Sequence, residues 1–295
     1  MKKTWFITGS SRGFGRSLVT AALAAGDQVV ATARRPEALA DLVAEHGDDL
    51  LPVALDVTDP SAVAAAFEQA VARFGGLDVI VNNAGYANVS PIETTSEEDF
   101  RTQFETNFWG VYNVSKAAIP VLRDAGGGTI VQFSSVGGRV GGSPGIASYQ
   151  AAKFAVDGFS RVLAVETAPF GVKVMVVEPS GFKTDWAGSS MTVHAIPAEY
   201  EPTVGSMNSR MRQSEAGPAG DPDRGAEIIV QAVRRTNPPT HLLLGVNAVE
   251  MSLDYSHRQL AEATAWEKVS RSADFTESYP APFPAEEFGP QTDRA

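Results

Sequence analysis

Thr4-Trp5-Phe6-Ile7-Thr8-Gly9-Ser10-Ser11-Arg12-Gly13-Phe14-Gly15 is followed by an apolar run over 17–25 that Gly26 closes. Residues 4–7 have the length and composition of a buried strand, and the later run has the length of a helix. Between them the glycines stand in a GxxxGxG spacing. Glycines there let the main chain approach a pyrophosphate, which rests on the positive N-terminus of the helix. Strand, glycine turn and helix together open a doubly wound α/β fold.

Outward from that unit the same rhythm repeats. Strands are predicted over 28–33, 51–55, 77–81, 129–133, 173–177 and 241–244, with helical stretches between them. Asp59-Pro60 and Asp221-Pro222 read as an N-cap followed by proline at the first helical position. Ser96 and Asp99 resemble a capping box, and an amphipathic stretch runs from there to Leu122. Pro36 opens a helix after the second strand, and residues 246–270 look helical. The expected architecture is α/β: one doubly wound, Rossmann-like parallel sheet of about seven strands with helices on both faces. It occupies residues 1–272. Residues 185–220 interrupt the rhythm, and 273–295, with Pro280, Pro282, Pro284 and Pro290, form an irregular tail. The glycine turn, Asp56, Asn82, Ser135 and Pro179 fall at the carboxyl ends of strands, where open α/β sheets bind ligands.

Composition narrows the function. The 295 residues carry a net charge of −11, which argues against nucleic-acid binding and gives no basic surface for anionic membranes. The chain has no cysteine, so disulfides, thiolate catalysis and cysteine-ligated metals are excluded. The apolar start breaks at Thr8-Gly9, too early for a secretion signal, and no stretch reaches the length of a membrane span. The expectation is a cytoplasmic protein without a metal site.

Cofactor choice is legible at the second strand. An acidic residue about 20 positions after the glycines would bind the 2′-hydroxyl of NAD, but Ala33 stands there, followed by Arg34 and Arg35. With Arg12 inside the glycine turn, the arginines suit a 2′-phosphate, hence NADP(H) over NAD(H).

Farther on, Tyr149-Gln150-Ala151-Ala152-Lys153 sets a phenol and an ammonium four residues apart, on one helix face. Bringing a tyrosine from about 10 to near 7 takes roughly 4 kcal/mol. A cation about 4.5 Å away in an effective dielectric of about 20 supplies roughly 3.7 kcal/mol. Lys153 is thus expected to be about sufficient to make Tyr149 an acid/base.

These motifs jointly resemble the short-chain dehydrogenase/reductase family, in its shorter-chain branch. The match lies in residues 8–15, Asp56-Val57, Asn82-Asn83-Ala84-Gly85, Asn107, Ser135, Tyr149 with Lys153, and 179–184. The resemblance implies a catalytic set of Asn107, Ser135, Tyr149 and Lys153. Tyr149 would exchange a proton with the substrate oxygen, and Ser135 would orient that oxygen. Lys153 would lower the tyrosine pKa and bind the nicotinamide ribose, and Asn107 would hold a water linking Lys153 to solvent. It also implies a cofactor lined by Gly9, Ser11, Arg12, Gly13, Phe14, Gly15, Arg34, Asp56, Val57, Asn83, Ala84, Gly85, Pro179, Gly181, Phe182 and Thr184. Residues 185–220 would cover a small-molecule carbonyl or alcohol, and the protein would be a homodimer or homotetramer.

Two departures stand out. The loop from Ser135 to Tyr149 is one residue longer than usual, which keeps Ser134 as an alternative for the serine role. The Pro-Gly pair after the sixth strand is Pro179-Ser180-Gly181. Tyr86, Trp186, Met191 and Phe182 suggest an apolar substrate pocket. Two rival readings are a non-catalytic NADP-sensing protein and a hydrolase using the Gly141-x-Ser143-x-Gly145 pattern. The hydrolase needs a strand directly before Ser143, and no spacing nominates His194, His241 or His257 as its base.

Overall fold

A computed structural model describes residues 2–184, 191–214 and 220–285. Two compact units divide the chain, residues 1–248 and 249–295. The first holds a seven-stranded parallel sheet: β1 (Thr4–Ile7), β2 (Gln28–Ala33), β3 (Leu50–Ala54), β4 (Val79–Asn82), β5 (Gly128–Phe133), β6 (Val172–Pro179) and β7 (His241–Leu244). Their order is β3-β2-β1-β4-β5-β6-β7. The order reverses at β1, which pairs with β2 on one side and β4 on the other. That reversal opens the crevice at the carboxyl ends, where Thr8 and Asn83 meet.

The strands are mostly apolar because both faces of the sheet are largely covered. Trp5, Ile7, Val29, Val79, Val81, Val131 and Met175 form one core with α1 (Gly13–Ala24) and α9 (Pro222–Val233). Phe6, Val30, Val53, Ile80, Ile130 and Val174 form the other. It is covered by α3 (Pro60–Phe74), α5 (Gly110–Asp124) and α7 (Ala147–Thr167). A smaller apolar group joins Ala87, Val89, Ile146, Tyr149 and Val204 above the sheet.

Local signals act as expected at several helix ends. Asp59 caps α3 by accepting from the N–H groups of Ser61 and Ala62, and Ser96 caps α4 (Glu97–Phe104) through the N–H of Asp99. Between α4 and α5 the turns widen over Glu105–Trp109, around the buried Asn107. Other boundaries differ from the sequence reading. Pro36–Leu39 is a tight 3₁₀ turn before α2 (Ala40–His46), and the loop after Ser135 contains α6 (Gly137–Val140). Within residues 185–220, α8 spans Ser206–Ser214.

The expected helix over 246–270 breaks at Trp266 into α10 (Val246–Ala265) and α11 (Glu267–Arg271). Within the second unit, residues 272–285 contain no helix or strand. No helix among the described residues is long and apolar enough to cross a membrane.

Candidate active site

The glycine turn is a cradle that side chains would fill. A Cβ on Gly15 would lie 2.2 Å from the Gly9 carbonyl oxygen, and one on Gly9 would lie 2.9 Å from the Ala84 Cα. Gly9 and Gly13 also have φ of 68° and 52°, where glycine is favoured. Thr8 joins this turn to β4: its hydroxyl accepts from the N–H groups of Asn83 and Ala84 at 3.0 and 3.1 Å. Asn83 returns its amide to the Thr8 and Gly9 carbonyls. Helix α1 starts at Gly13, and the Arg12 side chain does not cap it. Its first N–H groups therefore offer an anion site. Small residues, free donors and a positive helix end fit a dinucleotide pyrophosphate.

Of the other expected cofactor residues, some pack on the glycine turn and others stand at the carboxyl ends of strands. Thr184 lies against Gly13, whose Cβ would be 3.5 Å from the Thr184 side chain. Phe14 packs on Phe182, ring centroids 4.7 Å apart, so Phe182 belongs to the core beneath the turn and not to the apolar group around Tyr149. Pro179 ends β6, and its carbonyl accepts from the N–H of Val136. Asp56 accepts from the Thr58 N–H and hydroxyl. These bonds, aided by the nearby Arg34 guanidinium, hold its carboxyl below the usual range despite partial burial. Val57 packs on Gly110, and its carbonyl accepts from the Asn113 amide. Arg12 and Arg34 are exposed, and neither is ion-paired to another described residue.

The four residues of the implied catalytic set come from three segments. Ser135 follows β5, Tyr149 and Lys153 lie in the first turns of α7, and Asn107 sits in the widened turn. Tyr149 is hydrogen-bonded to Ser135, and the Lys153 ammonium lies 5.7 Å from the tyrosine ring centroid. Lys153 also donates to the Phe133 carbonyl at 2.6 Å. The Asn107 amide donates to the Tyr86 and Gln103 carbonyls, and its oxygen accepts from the Tyr86 N–H. A Cβ on Gly85 would lie 2.6 Å from that oxygen and 3.6 Å from the Lys153 Nζ, so Gly85, Asn107 and Lys153 meet at one point.

Electrostatics correct one expectation. Burial pushes the Tyr149 phenol up to about 12, with the Ser135 bond pulling it down only in part. Burial also lowers Lys153 to about 8. Loss of hydration penalises both charged forms, so Lys153 alone does not bring the tyrosine near 7.

Between the two serine candidates the geometry is clear. Ser134 is buried and donates to the Lys153 carbonyl at 3.1 Å, whereas Ser135 faces Tyr149 and accepts from the Gly137 N–H. Ser143 follows α6 and not a strand, and its N–H donates to the Gln150 side chain. The hydrolase pattern thus lacks its context. Thr8 and Gln150 had no role in the sequence reading beyond membership of a motif. Gln150 pins the loop before α7, and Thr8 pins β4; only their tertiary partners reveal this. Met191 packs against the Tyr149 group, while Trp186 lies outside the described residues.

Comparisons with known proteins show the family. The family model described as short chain dehydrogenase matches residues 3–193. An oxidoreductase of Botryotinia fuckeliana, BOA17, is 46% identical over 271 residues, covering 92% of this chain and 98% of its own length. The 3-ketodihydrosphingosine reductase of Bacteroides thetaiotaomicron is 34% identical over 241 residues, covering 81% of this chain and 86% of its own. A crystal structure of a short-chain dehydrogenase from Streptomyces avermitilis superposes with a TM-score of 0.86 at 39% identity, covering 92% of this chain and 98% of the other. With the glycine cradle at the sheet's reversal and Ser135, Tyr149 and Lys153 beside it, the chain belongs to the short-chain dehydrogenase family and is an NAD(P)-dependent oxidoreductase.

Proposed function

We propose that the protein interconverts a carbonyl and an alcohol on an apolar small molecule, with NADP(H) preferred and Tyr149 as the acid/base. The observation that carries this reading is the Ser135–Tyr149 hydrogen bond with Lys153 beside the ring. A phenol titrating near 12 is protonated at neutral pH, which suits a proton donor to a carbonyl oxygen. Bound, the nicotinamide would deliver or accept the hydride. Ser135 would hold the substrate oxygen against Tyr149, and Lys153 would bind the ribose. Asn107 would hold the Gly85–Tyr86 main chain against Lys153 and a water on the path to solvent. Phe14, Val57, Gly181 and the other residues of the cradle would line the cofactor.

The apolar group around Tyr149, with Met191, Val193 and Ile196 packed against it, favours an apolar substrate. The Bacteroides relative is named as a 3-ketodihydrosphingosine reductase. Residues 185–220 would cover the substrate. Self-association as a dimer or tetramer is supported by an exposed stripe on α7: Phe154, Gly158, Val162 and Val165.

Arg12 and Arg34 are free to grip a 2′-phosphate. Two charge-assisted contacts at roughly 1.5–3 kcal/mol each would give a preference of about 10²-fold or more. The test is a screen of ketones and aldehydes with both cofactors, comparing kcat/KM in the wild type and in Ala33→Asp combined with Arg34→Ala. NADPH should win in the wild type and lose ground to NADH in the variant. Equal use of both by the wild type would remove the arginine assignment, and no oxidation of either with any carbonyl would count against the reductase reading itself.

A further inference from the structure

We propose that Asp157, Glu178 and His241 form a binding site for one divalent transition-metal cation, zinc being the best match. The three come from α7, β6 and the start of β7. His241 pairs in register with Val176, two residues before Glu178, so His241 and Glu178 project from the sheet face that α7 covers. One ligand atom from each lies within 4.8 Å of the other two.

Glu178 supplies the decisive observation. Its side chain is fully buried. Oε2 accepts from the Arg139 Nε at 2.8 Å, but Oε1 has no hydrogen-bond partner. Within the same cluster, the His241 Nε2 and an Asp157 oxygen are 2.7 Å apart. A proton on Nε2 satisfies Asp157 and leaves Glu178 Oε1 without a donor, a costly state for a buried carboxylate. A cation between the three satisfies all of them.

The second ring nitrogen, Nδ1, lies 3.3 Å from the Thr240 hydroxyl. A proton held there turns the Nε2 lone pair toward the cluster, the usual support for a metal-binding histidine. Two oxygens and one imidazole suit zinc at about 2.0–2.1 Å, with ligand atoms roughly 3.3 Å apart and water completing a tetrahedron. The 2.7 Å contact then needs to open by about 0.6 Å. Hard cations such as magnesium and calcium prefer more oxygens than the site offers. Arg139 and Arg161 offset the carboxylate charges, so the affinity should be moderate. Asp157 and His241 are 16% and 17% exposed, which gives the ion a path from solvent.

The test uses the full chain stripped of metal and titrated with zinc chloride alone, read by equilibrium dialysis and by melting temperature. Wild type should bind one equivalent and melt higher with zinc. Loss of a supporting partner typically costs about 10- to 100-fold in affinity, so His241→Gln and Asp157→Asn should each lose at least that. His257→Gln, at an exposed position, should bind as wild type. Cobalt(II) bound to the wild type should give the intense visible absorption of a tetrahedral site, a readout that needs no variant. No saturable one-equivalent binding by the wild type would overturn the proposal, as would wild-type affinity retained in both His241→Gln and Asp157→Asn.

Discussion

Lys153 is buried, and its charge is correspondingly costly. Its pKa is lowered from 10.5 to about 8, while the unfolded chain keeps the ordinary value. Below about pH 8 both states are protonated and the burial penalty is fully present. Between about pH 8 and 10.5 only the unfolded chain retains the proton, so this residue makes stability rise with pH. The rise is on the order of 3 kcal/mol across that window, and Lys153→Met should abolish it. Urea unfolding from pH 7.5 to 9.5, below the range where Tyr149 titrates, measures it; an unchanged slope in the variant would refute the lowered pKa. At the neighbouring serines, Ser135→Ala should lower kcat by about 10²-fold or more, since it removes a donor to the substrate oxygen. Ser134→Ala loses one hydrogen bond to the α7 backbone, about 1 kcal/mol of stability, and should retain most activity. Steady-state kinetics of both variants decide it, and the reverse order would move the role to Ser134.

At the scale of elements, α7 has two distinct faces. One buries Val156, Ser160 and Leu163 against the sheet, and the other exposes Phe154, Val162 and Val165 to solvent. Exposed apolar stripes of this kind mark interaction surfaces, and under the proposed self-association this one would receive a second copy of the chain. Val162→Glu with Val165→Glu should shift sedimentation toward a smaller species; an unchanged coefficient would place the interface elsewhere. The elements themselves were largely legible, since β7 at 241–244 and the capped starts at Asp59, Ser96 and Asp221 follow local chemistry. Boundaries slipped where tertiary contacts override it. The sequence reading began β4 at Leu77, whereas β4 starts at Val79. The Asp78 carbonyl just before it already accepts from Thr129, and its carboxylate from Thr4.

For the whole molecule, the sheet's reversal at β1 explains how residues from 8 to 184 reach one crevice. The glycine turn and the nearness of Lys153 to Tyr149 were readable because their spacing is local. The raised Tyr149 pKa was not, because burial depends on Val204, Ile146 and Val89 arriving from separate segments. The Asp157–Glu178–His241 cluster was hidden for the same reason. The most direct measurement is Tyr149→Phe, assayed for turnover and, by fluorescence titration, for NADPH affinity. Loss of the proton donor should lower kcat by about 10²–10⁴-fold, with cofactor affinity nearly unchanged. Substantial turnover by the purified variant would contradict Tyr149 as the acid/base.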